Sequence, residues 1–454
     1  MNLAKKTVIT NSAKSTLGVT AQNVEDVMIQ LHRNDVDNFA IGDIKPTVRT
    51  ITSSNWHLCD GSFLRGNLSN DIKNGLTKRF QFKVQKSALQ DTVPTNWTYY
   101  ADDGYVIINS QYIASGNRLV KLQVYTRNSA GEVVANSSKT LYSSTSSRYS
   151  CRIGPVLKCG SYYYALYYVS HDDSEGDRDD LTWYIAYTTN PTGTWSTKAV
   201  TPANINCINL VGFYTNGSSV RLEICDYSTF STSRTVYVYT FSGNTGNITS
   251  STYSNSVDIP TGYSDETNTR AVGNGTYIKR GSTGGIYYKS SFTAGWQLLA
   301  KPSWASMWVW AYYINGKFIG IFGRNSEKAI AVIADSITAF SNTSLANLTY
   351  YELPNTTVPY ALGATSSGIL YIDSFNSDGT NRVHLVLVTE EGVKYKPIDT
   401  VSFGQTEGNV VSASYTAVFH SAEPSYKTNF YFVGLQYPDM SNEPFNAYMK
   451  IATN

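Results

Sequence analysis

A strand-like run of apolar, β-branched or aromatic residues returns about every fifty residues along most of this chain, a period that belongs to repeat architectures. The runs are Leu119 to Tyr125, Trp183 to Tyr187, Thr235 to Tyr239, Gly285 to Tyr288, Ala329 to Ala334, Val383 to Val388 and Asn429 to Val433. Single units read strand by strand. Ala361 to Thr365, Gly368 to Phe375, Arg382 to Thr389 and Val393 to Ile398 are four short strands separated by Ser-Ser, Asp-Gly and Glu-Gly turn signals. Ile153 to Leu157, Tyr162 to Val169, Leu181 to Tyr187 and Thr194 to Val200 repeat the arrangement.

Four strands per period predict a mainly all-β chain whose greater part is a β-propeller of about seven four-stranded blades, or six if the first unit is a linker. Radial closure leaves only short sheet edges, which is how a β-rich chain of this size avoids open strands. A pair of β-sandwiches is the competing fold, but it calls for strands about every ten residues without the longer superperiod. Composition agrees: 35 Tyr and only 15% charged residues, with Ser, Thr, Asn and Gly between the apolar runs, suit strands and polar turns. Two units also share side chains. Ile185-Ala186-Tyr187-Thr188-Thr189 leads to Trp195, and Ile286-Tyr287-Tyr288-Lys289-Ser290 leads to Trp296 at equal spacing, so each Trp is expected to pack between blades.

The remainder divides into an N-terminal anchoring or oligomerisation segment, 1–40, a β region, 41–95, and the repeats, 96–454. Val24, Val27, Met28 and Leu31 form one helical stripe between Thr20 and Arg33, which packs either on its own domain or on a partner. Arg79 to Lys86 alternates polar and apolar residues as a strand does. In the middle region, Gly42-Asp43-Ile44 is followed by Trp56-His57-Leu58-Cys59-Asp60-Gly61-Ser62. Asp60-Gly61 is a turn signal, and Trp56, Leu58 and Cys59 are expected in a small core.

That second stretch resembles the collar segment of bacteriophage tail-fibre proteins, with Asn55 standing where the family usually has Gly and no clear continuation after Phe63. The resemblance implies a virion protein that attaches through its N-terminal region to other tail proteins and is a homotrimer. It also implies assembly in the host cytoplasm and location in the virion tail.

Chemistry is sparsely signalled. The net charge of +2 and the lack of a Lys/Arg run argue against nucleic acid, and no apolar run is long enough for a membrane span. Five Cys without a C-x-x-C pair are expected as buried thiols, and five scattered His offer no zinc spacing. No cofactor or metal is expected. The acidic stretch Asp172 to Asp180 fits a solvated hairpin tip better than a Ca²⁺ loop. Asp102, Asp103, Glu223, Asp226, Asp265, Glu266 and Asp373 could face a channel, but nothing pairs two of them as glycoside hydrolysis requires. Arg270, Arg280 and Arg324 are scattered.

The aromatic residues are more suggestive, because neighbours in a strand point to opposite faces. Either all pack between sheets, or one set is displayed for stacking on sugars. Tyr168, Trp183, Tyr288, Trp308, Trp310 and Tyr313 are the candidate ligand-binding residues. The resulting expectation is a non-enzymatic tail protein that recognises a host-cell surface glycan. A virion-bound glycan depolymerase and a purely architectural adaptor are the alternatives.

Overall fold

The computed structural model describes residues 43–62, 81–88, 96–102, 104–114, 117–128, 132–172, 178–202, 206–225, 234–255, 270–280, 286–314, 316–324, 327–341, 344–353, 359–365, 369–375, 381–389, 392–398, 410–412, 416–422 and 428–451. The helical stripe between Thr20 and Arg33 lies outside them. Two compact units emerge, one comprising 1–61, 68–79 and 437–454, the other 62–67 and 80–436.

The chain enters through β1 (Ile44–Thr47) and β2 (Trp56–Leu58), then β3 (Gln81–Ala88). Blade 1 is β4 (Asn96–Ala101), β5 (Tyr105–Ala114), β6 (Asn117–Arg127) and β7 (Val133–Ser144). Blade 2 is β8 (Tyr149–Cys159), β9 (Tyr162–Asp172), β10 (Arg178–Thr188) and β11 (Ser196–Val200). Blade 3 is β12 (Asn209–Thr215), β13 (Val220–Cys225), β14 (Arg234–Phe241) and β15 (Thr249–Asn255). Blade 4 is β16 (Arg270–Gly273), β17 (Thr276–Arg280), β18 (Ile286–Lys289) and β19 (Gln297–Leu299). Blade 5 is β20 (Met307–Ile314), β21 (Lys317–Arg324), β22 (Glu327–Ala334) and β23 (Thr349–Glu352). Blade 6 is β24 (Pro359–Thr365), β25 (Ile369–Phe375), β26 (Asn381–Thr389) and β27 (Gly392–Ile398), with β28 (Val410–Ser412) added parallel to β24. The last sheet joins β29 (Thr416–Ala422) and β30 (Thr428–Gln436) to β3, and β31 (Asn446–Lys450) ends the order.

Each blade is an antiparallel meander, so its strands pair in sequence order. The first strands of successive blades touch one another, β4 with β8, β8 with β12, β12 with β16, β16 with β20, and β20 with β24, and β28 in turn touches β4. These are therefore the inner strands of a ring. Closure depends on a strand that precedes blade 1: β3 pairs antiparallel with β30 from Gln81↔Gln436 to Ala88↔Asn429. Trp97, Tyr99, Val106, Ile108 and Tyr125 of blade 1 then pack on Phe430 and Phe432 of the last sheet. The Gln85 side chain adds two hydrogen bonds to the backbone of Val133 in blade 1, at 2.6 and 2.7 Å. The seven runs named from the sequence fall one to a sheet, on β6, β10, β14, β18, β22, β26 and β30.

The pairing runs across the division expected at 95/96. Gln81–Ala88 belongs to the ring, because the last sheet's β30 would otherwise carry an open edge. Asn446–Lys450 instead lies between β1 and β2 in a three-stranded sheet of the first unit.

Cores lie between blades. One joins Ile107, Val120, Leu122 and Val124 of blade 1 to Cys151, Ile153, Tyr163 and Tyr167 of blade 2. Comparable cores join blades 2 and 3, 3 and 4, and 4 and 5. Because both faces of a blade meet a neighbour, the alternation in β9 sends Tyr163 and Tyr167 towards blade 1 and Tyr164 and Tyr168 towards blade 3. Each fully buried side chain of this size contributes about 1.5–3 kcal/mol.

Candidate functional site

Two faces of one blade meeting two neighbours explains where the sequence-named aromatics go. Tyr168 and Trp183 lie 4.9 Å apart, tilted at 55°, inside the core between blades 2 and 3, and the Trp183 Nε1–H donates to the Cys207 carbonyl. Trp308 is fully buried between blades 4 and 5. These three rings are core, and the expectation of a displayed face fails for them because a ring of blades leaves no such face. Tyr288 and Tyr313 are half-buried against the same blade 4/5 core; Tyr288 donates its hydroxyl to Gln297 and Tyr313 lies 4.9 Å from Phe318. The side chain of Trp310 is outside the described residues. Trp195 and Trp296 pack between blades as expected, against the blade 1/2 and blade 3/4 cores.

Two of the seven candidate acids have described side chains, and both tie one blade to the next. Asp102, in the turn from β4 to β5, accepts from Lys158 Nζ at 2.9 Å, the Tyr163 hydroxyl at 2.7 Å and the amides of Gly104 and Tyr105. Burial alone would raise its pKa, but these hydrogen bonds outweigh burial and hold it below the usual carboxylate range. Glu223 on β13 is wholly buried. Its Oε1 accepts from Tyr214 (2.8 Å), Arg221 Nε (2.6 Å) and Lys289 Nζ (2.8 Å), its Oε2 from Tyr253 (3.2 Å) and Trp296 Nε1 (3.1 Å). Burial again pushes its pKa up and the two cations pull it further down. Asp103, Asp226, Asp265 and Glu266 lie outside the described residues, and Asp373 is described by backbone alone. Asp102 and Glu223 occupy different blade interfaces, so they do not face each other across one pocket.

Next to Glu223, Lys279 of β17 is fully buried and donates to the carbonyls of Leu210 (3.0 Å) and Val211 (2.7 Å), at the bulge of β12. Burial pushes its pKa down to about 7, against a partial upward pull from Cys225 and Glu223. The folded chain thus holds fewer protons here than the unfolded chain between pH 7 and 10.5, and stability must rise with pH across that window. Lys289, also lowered by burial, acts in the same sense. Tyr253 opposes it above pH 10, since burial and Glu223 raise its pKa and the unfolded phenol ionises first. The urea midpoint is expected to climb as pH rises from about 7 towards 10, and Lys279→Met to flatten that climb. A midpoint independent of Lys279 over this range would refute the assignment.

In the first unit, Trp56 and Cys59 are buried, but Leu58 is 37% exposed, a correction to its expected place in the small core. Leu58 pairs with Tyr448 at the end of β2 and borders the cleft described below, while Trp56 and Cys59 are enclosed. Gly61 has φ +67°, and a Cβ there would meet the Asp439 side chain at 3.1 Å, so this turn requires glycine. His57 stacks on Tyr437 at 3.7 Å. Burial, and secondarily Asp60, pushes the Cys59 thiol up to about 11, which leaves it protonated and unreactive. A cleft of about 400 Å³ opens here, lined by Val48, Leu58, Asp60, Met440, Glu443 and Phe445.

Within the ring the two rims carry different connections. On one, first strands turn into second strands through short connections, 102–104, 160–161, 216–219, 274–275 and 315–316, and third strands lead to fourth strands through longer ones, 128–132, 189–195, 242–248, 290–296 and 335–348. On the other, second strands lead to third strands, and blades to blades, through connections that include 173–177, 201–208, 226–233, 256–269 and 300–306. Long connections on a rigid scaffold are where binding residues concentrate. The acidic stretch ends on this rim, where the Asp180 carboxylate accepts from the His171 amide; no metal-binding cluster occurs among the described residues. Sequence reasoning passed over one feature near this rim. Asn109, Ser110 and Gln111 follow Val106-Ile107-Ile108 in β5 and are all fully buried, and that polar interruption of an apolar strand was the available signal.

No family model matches the chain, and no curated protein matches it. It is similar in fold to solved structures at low identity. "YCF48 bound to D1 peptide" shares 12% identity over 78% of this chain and 94% of that one, with a TM-score of 0.46. A subtype N10 neuraminidase-like protein of A/little yellow-shouldered bat/Guatemala/060/2010 shares 10% over 78% and 98%, with a TM-score of 0.39. A mutant of AofleA from Arthrobotrys oligospora shares 11% over 72% and 91%, with a TM-score of 0.34.

Proposed function

We propose that this chain is a bacteriophage tail component that attaches the particle to a host-cell surface glycan without cleaving it. The observation that carries the binding part is the set of long connections rich in Ser, Thr, Asn and Gly, such as 226–233 and 256–269, on the rim where second strands lead to third strands and blades to blades. The collar-like residues support the virion part, with Trp56 and Cys59 buried beside β31 and Gly61 in the left-handed turn. In this reading the first unit joins the protein to other tail proteins, as a homotrimer, and the propeller displays the binding rim. Binding is favoured over hydrolysis because Asp102 and Glu223 are each consumed by a Lys and a Tyr in a separate blade interface.

The test is equilibrium binding of the purified full-length protein to a panel of bacterial cell-wall and capsular polysaccharides, with released reducing sugar assayed in parallel. Saturable binding without release is expected. Release would replace the proposal with a depolymerase, and absence of binding across the panel would favour an adaptor.

A further inference from the structure

Asn-Gly occurs four times in this chain, at Asn74-Gly75, Asn216-Gly217, Asn274-Gly275 and Asn315-Gly316, and the second and third pairs lie among the described residues. Both stand in the turn from a first strand to a second strand, β12 to β13 in blade 3 and β16 to β17 in blade 4. All four of these residues are exposed.

Such a pair has a chemistry of its own. The backbone nitrogen of the residue after an asparagine can attack the side-chain Cγ, and glycine, lacking a Cβ, hinders that approach least. The new N–C bond closes a five-membered succinimide while the side-chain nitrogen departs, taking the amide proton with it as ammonia. Water then adds to one of the two ring carbonyls, and the ring opens to aspartate or to isoaspartate. Nothing is oxidised or reduced, and solvent water is the co-reactant.

The two turns differ in what holds these atoms. At Asn216, Oδ1 accepts from the amides of Ser218 at 3.0 Å and Ser219 at 2.8 Å, and the Gly217 amide, which would be the nucleophile, donates to Thr215 Oγ1 at 2.9 Å. These three hydrogen bonds must be released before the ring can close. At the other turn, neither the Asn274 carboxamide nor the Gly275 amide makes a hydrogen bond with a described residue. Asn274 and Gly275, at φ +50° and +68°, form a two-residue turn with both central residues in the left-handed region. A Cβ on Gly275 would meet nothing within 4 Å, so the ring has room. Gly217 has the same room, so the hydrogen bonds, not space, separate the two sites.

We infer that Asn274 is a site of spontaneous deamidation in the folded protein, and that Asn216 of the neighbouring blade is protected from it. Isoaspartate adds one atom to the main chain. At 274 it works against the Gly273↔Thr276 pairing that the two-residue turn sets, in the inner hairpin of blade 4.

The experiment holds the full-length protein folded at mildly alkaline pH, where the attacking amide loses its proton more readily, and follows both sites by peptide mass spectrometry. Asn274 is expected to convert at least about tenfold faster than Asn216, because the barrier at Asn216 includes the release of its hydrogen bonds, and to give both aspartate and isoaspartate. The same measurement in guanidinium chloride should make the two rates converge, since the unfolded chain keeps the sequence and loses those bonds. Equal rates in the folded protein, faster conversion of Asn216, or conversion of Asn274 only after unfolding overturns the inference. Aspartate without isoaspartate overturns the succinimide route, and a gap that persists in denaturant overturns its origin in the fold.

Discussion

Replacing Glu223 by Ala is expected to lower folding stability by about 3–5 kcal/mol, because it strands two cations in a buried interface. Lys289 is fully buried, and Arg221 nearly so; each is held by Glu223 Oε1, at 2.8 and 2.6 Å. Lys289 would keep only the neutral Tyr214 hydroxyl oxygen, at 2.9 Å, and no other described carboxylate pairs with either cation, while Tyr253 and Trp296 point donors at Glu223. Replacing Glu223, Lys289 and Arg221 together by apolar residues of similar volume should cost far less, since a buried network repays its own desolvation only narrowly. Urea unfolding of the single and triple variants measures both. If Glu223→Ala lost no more than the triple replacement, the network would not be a charge-compensated tie between blades 3 and 4.

Trp97→Ala carries a comparable expectation by a different mechanism. Trp97 is 4% exposed, its ring meets Phe430 edge-on at 5.0 Å, and it lies 5.9 Å from Tyr99. Truncation removes the ring from the contact between blade 1 and the last sheet and leaves a cavity, at about 3–5 kcal/mol. The loss should be local as well as global. Amides of β3 and β30 should exchange faster than those of blades 3 and 4, because only the former depend on this contact. By contrast, Leu58→Ala, at a side chain 37% exposed, should change stability by no more than about 0.5 kcal/mol. Uniform acceleration of exchange across the ring would contradict the placement of Trp97 at the closing contact.

The sequence disclosed the repeats well because each third strand is apolar and bounded by turn residues, as in Trp183 to Tyr187 within β10 and Val383 to Val388 within β26. It could not disclose closure. Arg79 to Lys86 read correctly as a strand, but its partner β30 is hundreds of residues distant, and alternation says nothing of long-range pairing. Tyr168, Trp183 and Trp308 lie in cores for a related reason. Period-two alternation gives each ring a face, yet only the ring architecture decides that Tyr167 and Tyr168 both meet another blade. Glu223 was legible as an acid near a strand end, whereas its five donors come from β12, β13, β15, β18 and the segment before β19. Asn109 to Gln111 were visible all along as polar residues inside an apolar strand.

Blade count and the closed ring depend on the pairing of β3 with β30. The most direct measurement is a disulfide cross-link in the full-length chain carrying Val84→Cys and Val433→Cys, the pair directly opposite in the register. Mild oxidation followed by peptide mass spectrometry is expected to yield the 84–433 linkage, with the native cysteines, all buried and free, unreacted. No linkage at this pair, or efficient linkage only when the second cysteine is moved to Tyr431, would contradict closure in this register.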